Sequence, residues 1–505
     1  MESNNDENTP LLSRNGPGRM TTALSIGKCC GDVLLLSCGG MALVFGLYTG
    51  IAWPFIFNKI LQSNLALTQN ATKGNNATSV LAMWEETPMP IYMEVYMFNW
   101  TNPATSLHGP DKPKFVEMGP YVFYEHHSKG NLTWNSNNTI TYLNKKTWKF
   151  MPELSNGSLS DNITNINVVA MAVGNKCRNL NPILKSVVSM LIDVEETLVV
   201  THSVGNLLFD GTTDRLLKIA DILKNHSINI PLQYDKFGWF YKRNNSFTTD
   251  GVFTMNTGKD DINKLGLLTN WNYKNTTSGF TGDCAKVQGT YGELFPPNSA
   301  SLRDIKLFAN DLCSVLTLNS ESSVVIQNLT GIVFNGTGMF SNKTTCYCPK
   351  GVCPASGIRD VSACKGAPVA ISFPHFYDAD ASYRDAIDGM EPDGDKHSFT
   401  MVLEQVTSIP LKVNARLQLN LLMDTIPGMP FYKNLKKTYI PMLWFTQRAT
   451  ITPAMASNLS SLTMVSYYAP FIMFGVATLG AILVTLGLFL RSRSCCQEEH
   501  ERLLD

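Results

Sequence analysis

Residues 33–57 have the sequence VLLLSCGGMALVFGLYTGIAWPFIF, and residues 467–490 have the sequence YYAPFIMFGVATLGAILVTLGLFL. Neither stretch contains a charged side chain. Because about 20 apolar residues cross a hydrocarbon core of about 30 Å as a helix, each stretch is long enough to span a membrane. Residues 1–32 are mostly polar, which argues against a cleaved signal peptide, whose apolar segment begins close to the N-terminus. The chain is therefore predicted to cross the bilayer twice.

Basic residues flank both apolar stretches on the side of the chain ends. They are Arg14, Arg19, Lys28, Arg491 and Arg493. Since basic residues near a span are retained in the cytosol, residues 1–32 and 491–505 are predicted to be cytosolic tails. Residues 58–466 then form one lumenal or extracellular domain, in which we detect no repeat and no long low-complexity run.

N-glycosylation sequons agree with this topology, because the Asn-x-Ser/Thr pattern has meaning only on the lumenal side of the membrane. All fourteen sequons lie between the two predicted spans. The predicted acceptors are Asn70, Asn76, Asn99, Asn131, Asn137, Asn156, Asn162, Asn225, Asn244, Asn275, Asn328, Asn335, Asn342 and Asn458.

The cysteines divide by compartment in the same way. Six lie within residues 284–364, where an oxidising lumen favours disulfides, although six cysteines allow fifteen pairings. Cys177 is left over and is interpreted as a buried free thiol, with an intermolecular bridge as the alternative. Four cysteines next to the spans are predicted to be palmitoylated, with unmodified thiols as the alternative. These four are Cys29, Cys30, Cys495 and Cys496.

Short runs of alternating apolar and polar residues fill most of the middle region, as in IYMEVYMFNWTNP, KFVEMGPYVFYEHH and NLTWNSNNTITYLN. They predict strands of an antiparallel sheet or barrel. Between about 182 and 223 the period changes, and apolar residues recur at helical spacing. They include Leu184, Val187, Val188 and Leu191. This stripe is interpreted as a packing face, with a binding surface as the alternative.

Composition and motifs exclude several functions. With 41 basic and 41 acidic residues and zero net charge, nucleic acid is not a predicted partner. No G-x-S-x-G, H-E-x-x-H or phosphate-loop motif occurs, so neither an enzyme nor a cofactor is predicted, and a membrane-anchored hydrolase is the alternative. His126 and His127 are adjacent on a predicted strand, point to opposite faces and should not share a metal ion. A two-span ligand-gated channel has the same topology, but such channels usually have more cysteines, spread along the whole ectodomain. The six cysteines of this chain are confined to one stretch, which argues against a channel.

The segments YMFNWTNP, FVEMGPYVFYE, LFANDLCSVL, TCYCPKGVC with Cys364, FPHFYDAD and GMEPDGDKHSFTMVLEQVTSIPLKVNARLQLNLLM follow one another along the chain. Together with the two spans they resemble the class B scavenger receptor family over nearly the whole length. The resemblance implies an α+β fold. Two terminal transmembrane helices flank a lumenal antiparallel β-barrel, with an apical helical bundle at about 165–225 and an internal tunnel for sterols, fatty acids or phospholipids.

The same resemblance implies a set of disulfides, in which Cys177 has no counterpart. They are Cys284–Cys346, Cys313–Cys364 and Cys348–Cys353.

Within the family, THSVGNLL at residues 201–208 resembles the lysosomal integral membrane protein branch most closely. The resemblance implies that His202 takes the place of a histidine linked to pH-dependent release of a lysosomal hydrolase. A histidine titrates near pH 6.5, so it can gain charge in an acidic compartment. The alternative is a histidine near a helix start, with Thr201 and Ser203 as caps.

An acidic group at the predicted apex, formed by Asp193, Glu195 and Glu196, differs from the lysines that lipoprotein-binding members present there. It argues against anionic lipoprotein ligands. An ordinary solvated helix face is the alternative to a docking site.

Each predicted cytosolic tail carries an acidic dileucine pattern, EEHERLLD at the C-terminus and ENTPLL near the N-terminus. Paired exposed leucines with an acidic residue four positions before resemble the signal that clathrin adaptors bind, and they predict endosomal or lysosomal delivery. The residues are Glu7, Leu11, Leu12, Glu499, Leu503 and Leu504. We therefore expect a lysosomal or late-endosomal membrane glycoprotein that binds lipid and passes it to the membrane, with hydrolase sorting as a second role. The alternative is a cell-surface receptor for lipids or lipoproteins.

Overall fold

A computed structural model describes residues 18–69, 80–195, 197–217, 235–348 and 351–502. For residues 18–32, 191, 193–195 and 494–502 it describes the backbone but not the side chains. The chain divides into two compact units. One contains the terminal segments Met1–Lys59 and Ser461–Asp505, and the other is the barrel domain, Ile60–Ser460.

The first unit contains two long helices, and each extends beyond the apolar stretch predicted within it. They are Gly18–Leu65 and Pro453–Arg502. The parts of these helices that are long and apolar enough to span a membrane are Val33–Leu65 and Pro453–Arg493. The polar flanks continue the helices and contain no proline beyond the first turn, and Pro453 occupies the first helical position, which suits proline. The two helices pack closely at Gly46, where an added Cβ would lie 2.5 Å from the Ala477 nitrogen. A two-pass membrane protein with one apolar helix near each end is confirmed.

The barrel domain is built on a large antiparallel sheet, as the alternating sequence runs predicted. The fifteen described strands are β1 (Ile91–Trp100), β2 (Phe115–Trp134), β3 (Thr139–Phe150), β4 (Asn162–Ile166), β5 (Val199–Ser203), β6 (Val252–Asn256), β7 (Leu268–Trp271), β8 (Asp304–Ala309), β9 (Ser314–Ile326), β10 (Leu329–Asn335), β11 (Ile358–Asp360), β12 (Val369–Ser372), β13 (Thr400–Glu404), β14 (Pro410–Met423) and β15 (Thr438–Thr450). The main sheet has the order β7-β6-β3-β2-β1-β15-β14-β13-β10-β9-β8, with β12 and β11 branching from β14. Strands β4 and β5 form a separate two-stranded sheet.

Apart from the two long terminal helices, the helices whose full extent the structure describes are short. They are Val80–Glu85, Pro103–His108, Val168–Cys177, Pro182–Glu195, Ser362–Lys365, Ala381–Asp385 and Gly394–His397, with a π-helix at Asn206–Asp210. Single 3₁₀ turns occupy Pro152–Leu154, Ile262–Lys264, Gly282–Ala285, Ser299–Ser301, Thr345–Tyr347, Pro374–Phe376 and Pro430–Tyr432.

The segment Gly289–Thr290 joins the two edge strands and so brings the sheet close to a full barrel. Leu268 of β7 donates its N–H to the Gly289 carbonyl at 2.8 Å, and Thr290 donates to Lys306 of β8 at 3.0 Å. Gly289 has a φ of +83°, and an added Cβ would lie 2.3 Å from the Lys306 carbonyl oxygen. Only glycine fits this crossing, because any side chain would collide with backbone. The α+β fold with a barrel-like antiparallel sheet and terminal helices is confirmed.

The helical region between β4 and β7 is more mixed than predicted. Helix Val168–Cys177 begins where the Asn167 side chain accepts the Ala170 N–H at 3.1 Å, a typical N-cap. Helix Pro182–Glu195 follows, and the helical spacing that predicted it is confirmed. Within the predicted bundle at about 165–225, Val199–Ser203 pairs with Asn162–Ile166 as a hairpin, so a strand separates the helices there, and the bounds of the bundle stay a prediction. Residues 218–234 lie outside the described residues.

The apolar stripe of helix Pro182–Glu195 has two sides. Val188 and Ile192 are fully buried, which fits a packing face, whereas Val187 is 49% exposed and Met190 is 71% exposed. Cys177, at the end of the preceding helix, is a buried free thiol, and burial raises its pKa to about 11. A thiol with that pKa stays protonated and unreactive at physiological pH.

Three disulfides cross-link residues 284–364. The structure pairs Cys284 with Cys346, Cys313 with Cys364, and Cys348 with Cys353, which are the pairs that the family resemblance implies.

Candidate functional site

An apolar cleft lies where the β4–β5 hairpin, the helix Val168–Cys177 and the π-helix meet strands β1 and β15. Its cavity volume is small, about 20 Å³, which is room for about one water molecule. Its apolar lining consists of Met97, Ile163, Ile166, Val168, Val169, Val200, Leu207, Phe237, Trp239 and Met442. A mostly apolar cleft with few polar groups is typical of a site for an apolar ligand.

His202 and Asp214 are the ionisable groups in this cleft. Burial lowers the pKa of His202, and the nearby Asp214 carboxylate partly offsets that effect. The ring is therefore neutral at neutral pH and gains its charge only under acidic conditions. His202 lies on β5 opposite Ile163, two residues before the helical segment that begins at residue 204, so it stands both on a strand and near a helix start. Ser203 does serve the following helical turn, since its Oγ accepts the Asn206 N–H at 3.4 Å.

The floor of the cleft continues into an aromatic cluster inside the barrel. Met97, Ile163 and Leu207 line the cleft and also belong to this buried cluster. Its rings contact one another at centroid distances of 5.0–6.4 Å. They are Phe123, Trp148, Phe209, Phe240 and Phe445. Packed apolar side chains thus run from the cleft into the barrel interior, and we call this continuous set the apolar path.

Beyond Trp148, charged side chains line the barrel interior. His127 Nε2 lies 2.6 Å from Glu125 Oε1, and His127 Nδ1 lies 3.5 Å from Glu293 Oε1. Lys129 donates to the same Glu293 oxygen at 2.6 Å, and its side chain is 1% exposed. Gln447 donates to both oxygens of the fully buried Glu125 at 2.9 and 3.0 Å. Because Glu125, His127 and Lys129 alternate along β2, all three point to the inside.

A second group of charges lies beside the first. Asp250 accepts from Arg243 at 2.9 Å and pairs with Lys146 at 3.3 Å. Arg243 also holds Asp311 with two hydrogen bonds of 3.1 Å, and Lys365 reaches Asp311 from a more exposed position. We call both groups together the barrel ionic network. When His127 is protonated, the four carboxylates of this network face five cations, of which Lys365 is the most exposed, so the buried charges are paired.

Pairing outweighs the effect of burial on the pKa of Glu125 and of His127, whereas burial dominates at Lys129 and lowers its pKa. Burial alone would raise the pKa of Glu125, but the His127 charge and hydrogen bond, Lys146 and Gln447 together lower it to about 2. Burial alone would lower the pKa of His127, but the Glu125 charge and the hydrogen bonds to Glu125 and Glu293 raise it. His127 therefore stays an imidazolium beside two carboxylates.

These pKa directions predict a pH range in which the network contributes most to stability. A raised histidine pKa stabilises the fold below the unfolded value of about 6.5, and that contribution is lost as pH rises through the folded pKa. A lowered glutamate pKa stabilises above about 4.5, and that contribution is lost as pH falls towards 2. Both contributions are complete between about pH 4.5 and 6.5.

The variant His127→Gln should therefore lose more stability at pH 5.5 than at pH 9. Thermal unfolding of the full-length chain and the variant at both pH values measures the difference. Equal losses at the two pH values would contradict the assignment of an imidazolium.

Sequence reasoning did not identify this network. The available signal was a charged residue at every second position, Glu125, His127 and Lys129, directly after the apolar Tyr121 and Phe123 on the same strand face. The adjacent histidines do point to opposite faces. His126 lies 3.2 Å from Glu86 and is more exposed, whereas His127 lies inside. The structure groups no three metal-binding side chains among the described residues.

The structure does not describe the side chains of the predicted sorting and acylation residues. Glu7, Leu11, Leu12, Leu503 and Leu504 lie outside the described residues. Cys29, Cys30, Cys495, Cys496 and Glu499 lie on the terminal helices, but their side chains are not described. The same holds for Asp193 and Glu195 on helix Pro182–Glu195, and Glu196 is outside the described residues. These assignments stay predictions.

The predicted glycosylation sites differ in exposure. Nine described acceptors are exposed: Asn131, Asn137, Asn156, Asn162, Asn244, Asn275, Asn328, Asn342 and Asn458. Asn99 and Asn335 are partly buried, and the Asn99 amide oxygen accepts the Thr164 N–H at 2.8 Å. Asn70, Asn76 and Asn225 are outside the described ranges. The exposed nine are therefore better placed to carry glycans than Asn99.

Comparison with known proteins identifies relatives along almost the whole chain. The CD36 family profile matches residues 37–491. "Protein peste" of Drosophila melanogaster is 30% identical over 466 residues, which cover 90% of this chain and 82% of that protein. "Scavenger receptor class B member 1" of Rattus norvegicus is 30% identical over 424 residues, 82% of each chain. "Lysosome membrane protein 2" of Rattus norvegicus is 30% identical over 422 residues, 81% of this chain and 86% of that protein.

Proposed function

Since this chain belongs to the CD36 family, we propose that it is a lysosomal or late-endosomal membrane glycoprotein that binds lipid inside its barrel domain and passes the lipid to the membrane. The observation that carries the proposal is the apolar path from the His202 cleft into the aromatic cluster. Such a path shields a hydrocarbon chain from water, which is worth roughly 0.8 kcal/mol for each buried methylene. Lipid binding of this kind requires a site of suitable shape with an apolar lining, and it requires no catalytic groups.

Three features support an acidic compartment. The barrel ionic network is most favourable between about pH 4.5 and 6.5, by the pKa directions of Glu125 and His127. Both tails carry acidic dileucine sequences suited to clathrin adaptors. A relative named "Lysosome membrane protein 2" aligns along most of the chain.

The second candidate is a cell-surface receptor for lipids or lipoproteins, since a relative named "Scavenger receptor class B member 1" aligns equally well. Sorting of a lysosomal hydrolase is a further proposed role, for which His202 is the pH-sensitive group. Its ring is neutral in a neutral secretory compartment and can be protonated in an acidic one, where a partner contact would weaken.

Replacing Leu11, Leu12, Leu503 and Leu504 with alanine should move the protein from lysosomes to the cell surface, because the leucine pairs would no longer fill an adaptor groove. Microscopy of a tagged chain against a lysosomal marker measures the shift. Leu24→Ala, in the same N-terminal tail but outside the motif, is the control and should stay lysosomal. An intact protein found mainly at the surface would contradict the lysosomal assignment and favour the receptor.

A separate experiment tests the proposal that the barrel domain binds lipid. We expect the purified full-length chain to bind a fluorescent lipid saturably.

A further inference from the structure

Two buried histidines stack on each other in the connection between strands β12 and β13, residues 373–399. His375 lies in the 3₁₀ turn Pro374–Phe376 and is 6% exposed, while His397 ends the helix Gly394–His397 and is 5% exposed. Their ring centroids are 4.5 Å apart, with an angle of 16° between the ring planes. Because each ring can gain a charge on acidification, the stack places two titratable groups side by side in a buried position.

Backbone N–H groups determine where each ring carries its proton. The Glu391 N–H donates to His375 Nδ1 at 3.0 Å, and the Asp393 N–H donates to His397 Nδ1 at 2.9 Å. A ring nitrogen that accepts a hydrogen bond carries no proton, so each ring is assigned as uncharged, with its one proton on Nε2. A second proton on either Nδ1 would face an N–H donor. Protonation of either ring therefore breaks its hydrogen bond to the segment 389–393.

The same pair is attached to the outside of the barrel wall. His375 Nε2 lies 2.7 Å from Glu117 Oε2 on β2, and Trp444 donates its indole N–H to the same oxygen at 2.6 Å. The backbone N–H of His375 donates to the buried Gln418 Oε1 on β14 at 2.7 Å. Since Phe445 belongs to the aromatic cluster inside the barrel, its neighbour Trp444 points to the outside. The histidine pair thus connects the segment 389–393 to the outer face of the sheet.

Charged groups on three sides act on His397. Burial, followed by the neighbouring His375, lowers the pKa of His397 to about 4. Arg416 of β14 acts in the same direction, whereas the carboxylates of Glu117 on β2 and Asp393 in the loop before the helix oppose it. Other titratable side chains nearby act on Arg416. They are Glu94, Tyr96 and Asp395.

A lowered histidine pKa makes the closed segment sensitive to acid. If the segment opens, His397 is solvated and titrates near its usual pKa of about 6.5. The open form then binds a proton that the closed form excludes. The contribution of His397 to closure is therefore complete above about pH 6.5 and is lost progressively as pH falls towards 4.

We infer that His375 and His397 form an acid-sensitive clasp, which holds residues 389–393 against the outside of the barrel at neutral pH and loosens them in an acidic compartment. The barrel ionic network contributes most between about pH 4.5 and 6.5, so the barrel stays folded while the clasp loosens. This inference goes beyond lipid binding and does not depend on which lipid the protein carries.

Hydrogen–deuterium exchange of the purified full-length chain, read by mass spectrometry of the peptide that contains Glu391 and Asp393, measures how often the clasp opens. After correction for the intrinsic exchange rate at each pH, we expect opening to be about 30-fold more frequent at pH 5 than at pH 7.5. This factor follows from a pKa of about 6.5 for His397 in the open form and about 4 in the closed form. Peptides from β14 should keep their protection at both pH values, which separates a loosened segment from an unfolded barrel.

His397→Asn should remove most of this pH dependence, because the asparagine amide oxygen can accept the Asp393 N–H but does not titrate. His126→Asn is the matched control. His126 lies outside the clasp on β2 with its side chain 35% exposed, so this variant should behave as the wild type. Equal corrected exchange of the wild-type peptide at pH 5 and pH 7.5 would overturn the clasp, and this result requires no variant to fold. Unchanged pH dependence in a folded His397→Asn variant would overturn it as well.

Discussion

Lys129→Met should lower the free energy of unfolding of the barrel domain by about 3–5 kcal/mol, the usual cost of leaving a buried charge without its partner. Lys129 is 1% exposed and donates to Glu293 at 2.6 Å. Its ammonium also lies 5.8–5.9 Å from the ring centroids of Trp84, Tyr142 and Tyr291, which form an aromatic surround. Methionine fills similar volume but leaves the Glu293 carboxylate with only the more distant His127. Urea denaturation of the full-length chain, followed by tryptophan fluorescence, measures the loss.

A surface ion pair of the same length is the control for Lys129. Lys286 Nζ lies 2.6 Å from Asp283 Oδ1, but these side chains are 59% and 86% exposed. Water solvates both groups when the pair is broken, so Lys286→Met should give no measurable change. The double variant Lys129→Met with Glu293→Leu should recover part of the loss, because it removes both buried charges. A Lys129→Met effect as small as that of Lys286→Met would show that the buried network is not needed for the fold.

Much of the architecture could be predicted because it depends on local sequence patterns. Residues 33–57 and 467–490 predicted the terminal helices through their length and lack of charge. Alternation in segments such as IYMEVYMFNW predicted the strands, and helical spacing predicted Pro182–Glu195. In each case a short run of consecutive residues shows the periodicity of burial, so the prediction does not depend on distant contacts.

The barrel ionic network could not be predicted in this way, because its pairs join distant parts of the chain. Lys129 and Glu293 are 164 positions apart, and Glu125 and Gln447 are 322 apart. Their contact depends on the register of β2 with its neighbours and on how the loop that carries Glu293 returns to the sheet. Likewise, the pairing of His202 with Ile163 depends on the register of β4 with β5, and the residues next to His202 do not encode it. Tertiary context overrides local propensity at such positions.

Val200→Lys should reduce lipid transfer to membranes by about tenfold or more, because a long side chain with a charged end would occupy the cleft, and tenfold corresponds to only 1.4 kcal/mol. Val200 lines the His202 cleft on β5. Its neighbour Thr201 is exposed on the other face of the strand, so Thr201→Lys adds the same charge without entering the cleft. Both variants should unfold at urea concentrations close to that of the wild type, which separates a blocked cleft from a damaged fold.

The most direct measurement of lipid passage uses the full-length chain reconstituted in liposomes, with donor vesicles that contain a fluorescent sterol and a quencher. The rate of fluorescence recovery reports transfer into the liposomes. We expect the wild type and Thr201→Lys to accelerate transfer over protein-free liposomes, and Val200→Lys to fall close to the protein-free rate. Equal rates for Val200→Lys and the wild type, or a wild-type rate no faster than protein-free liposomes, would contradict passage of lipid through the cleft.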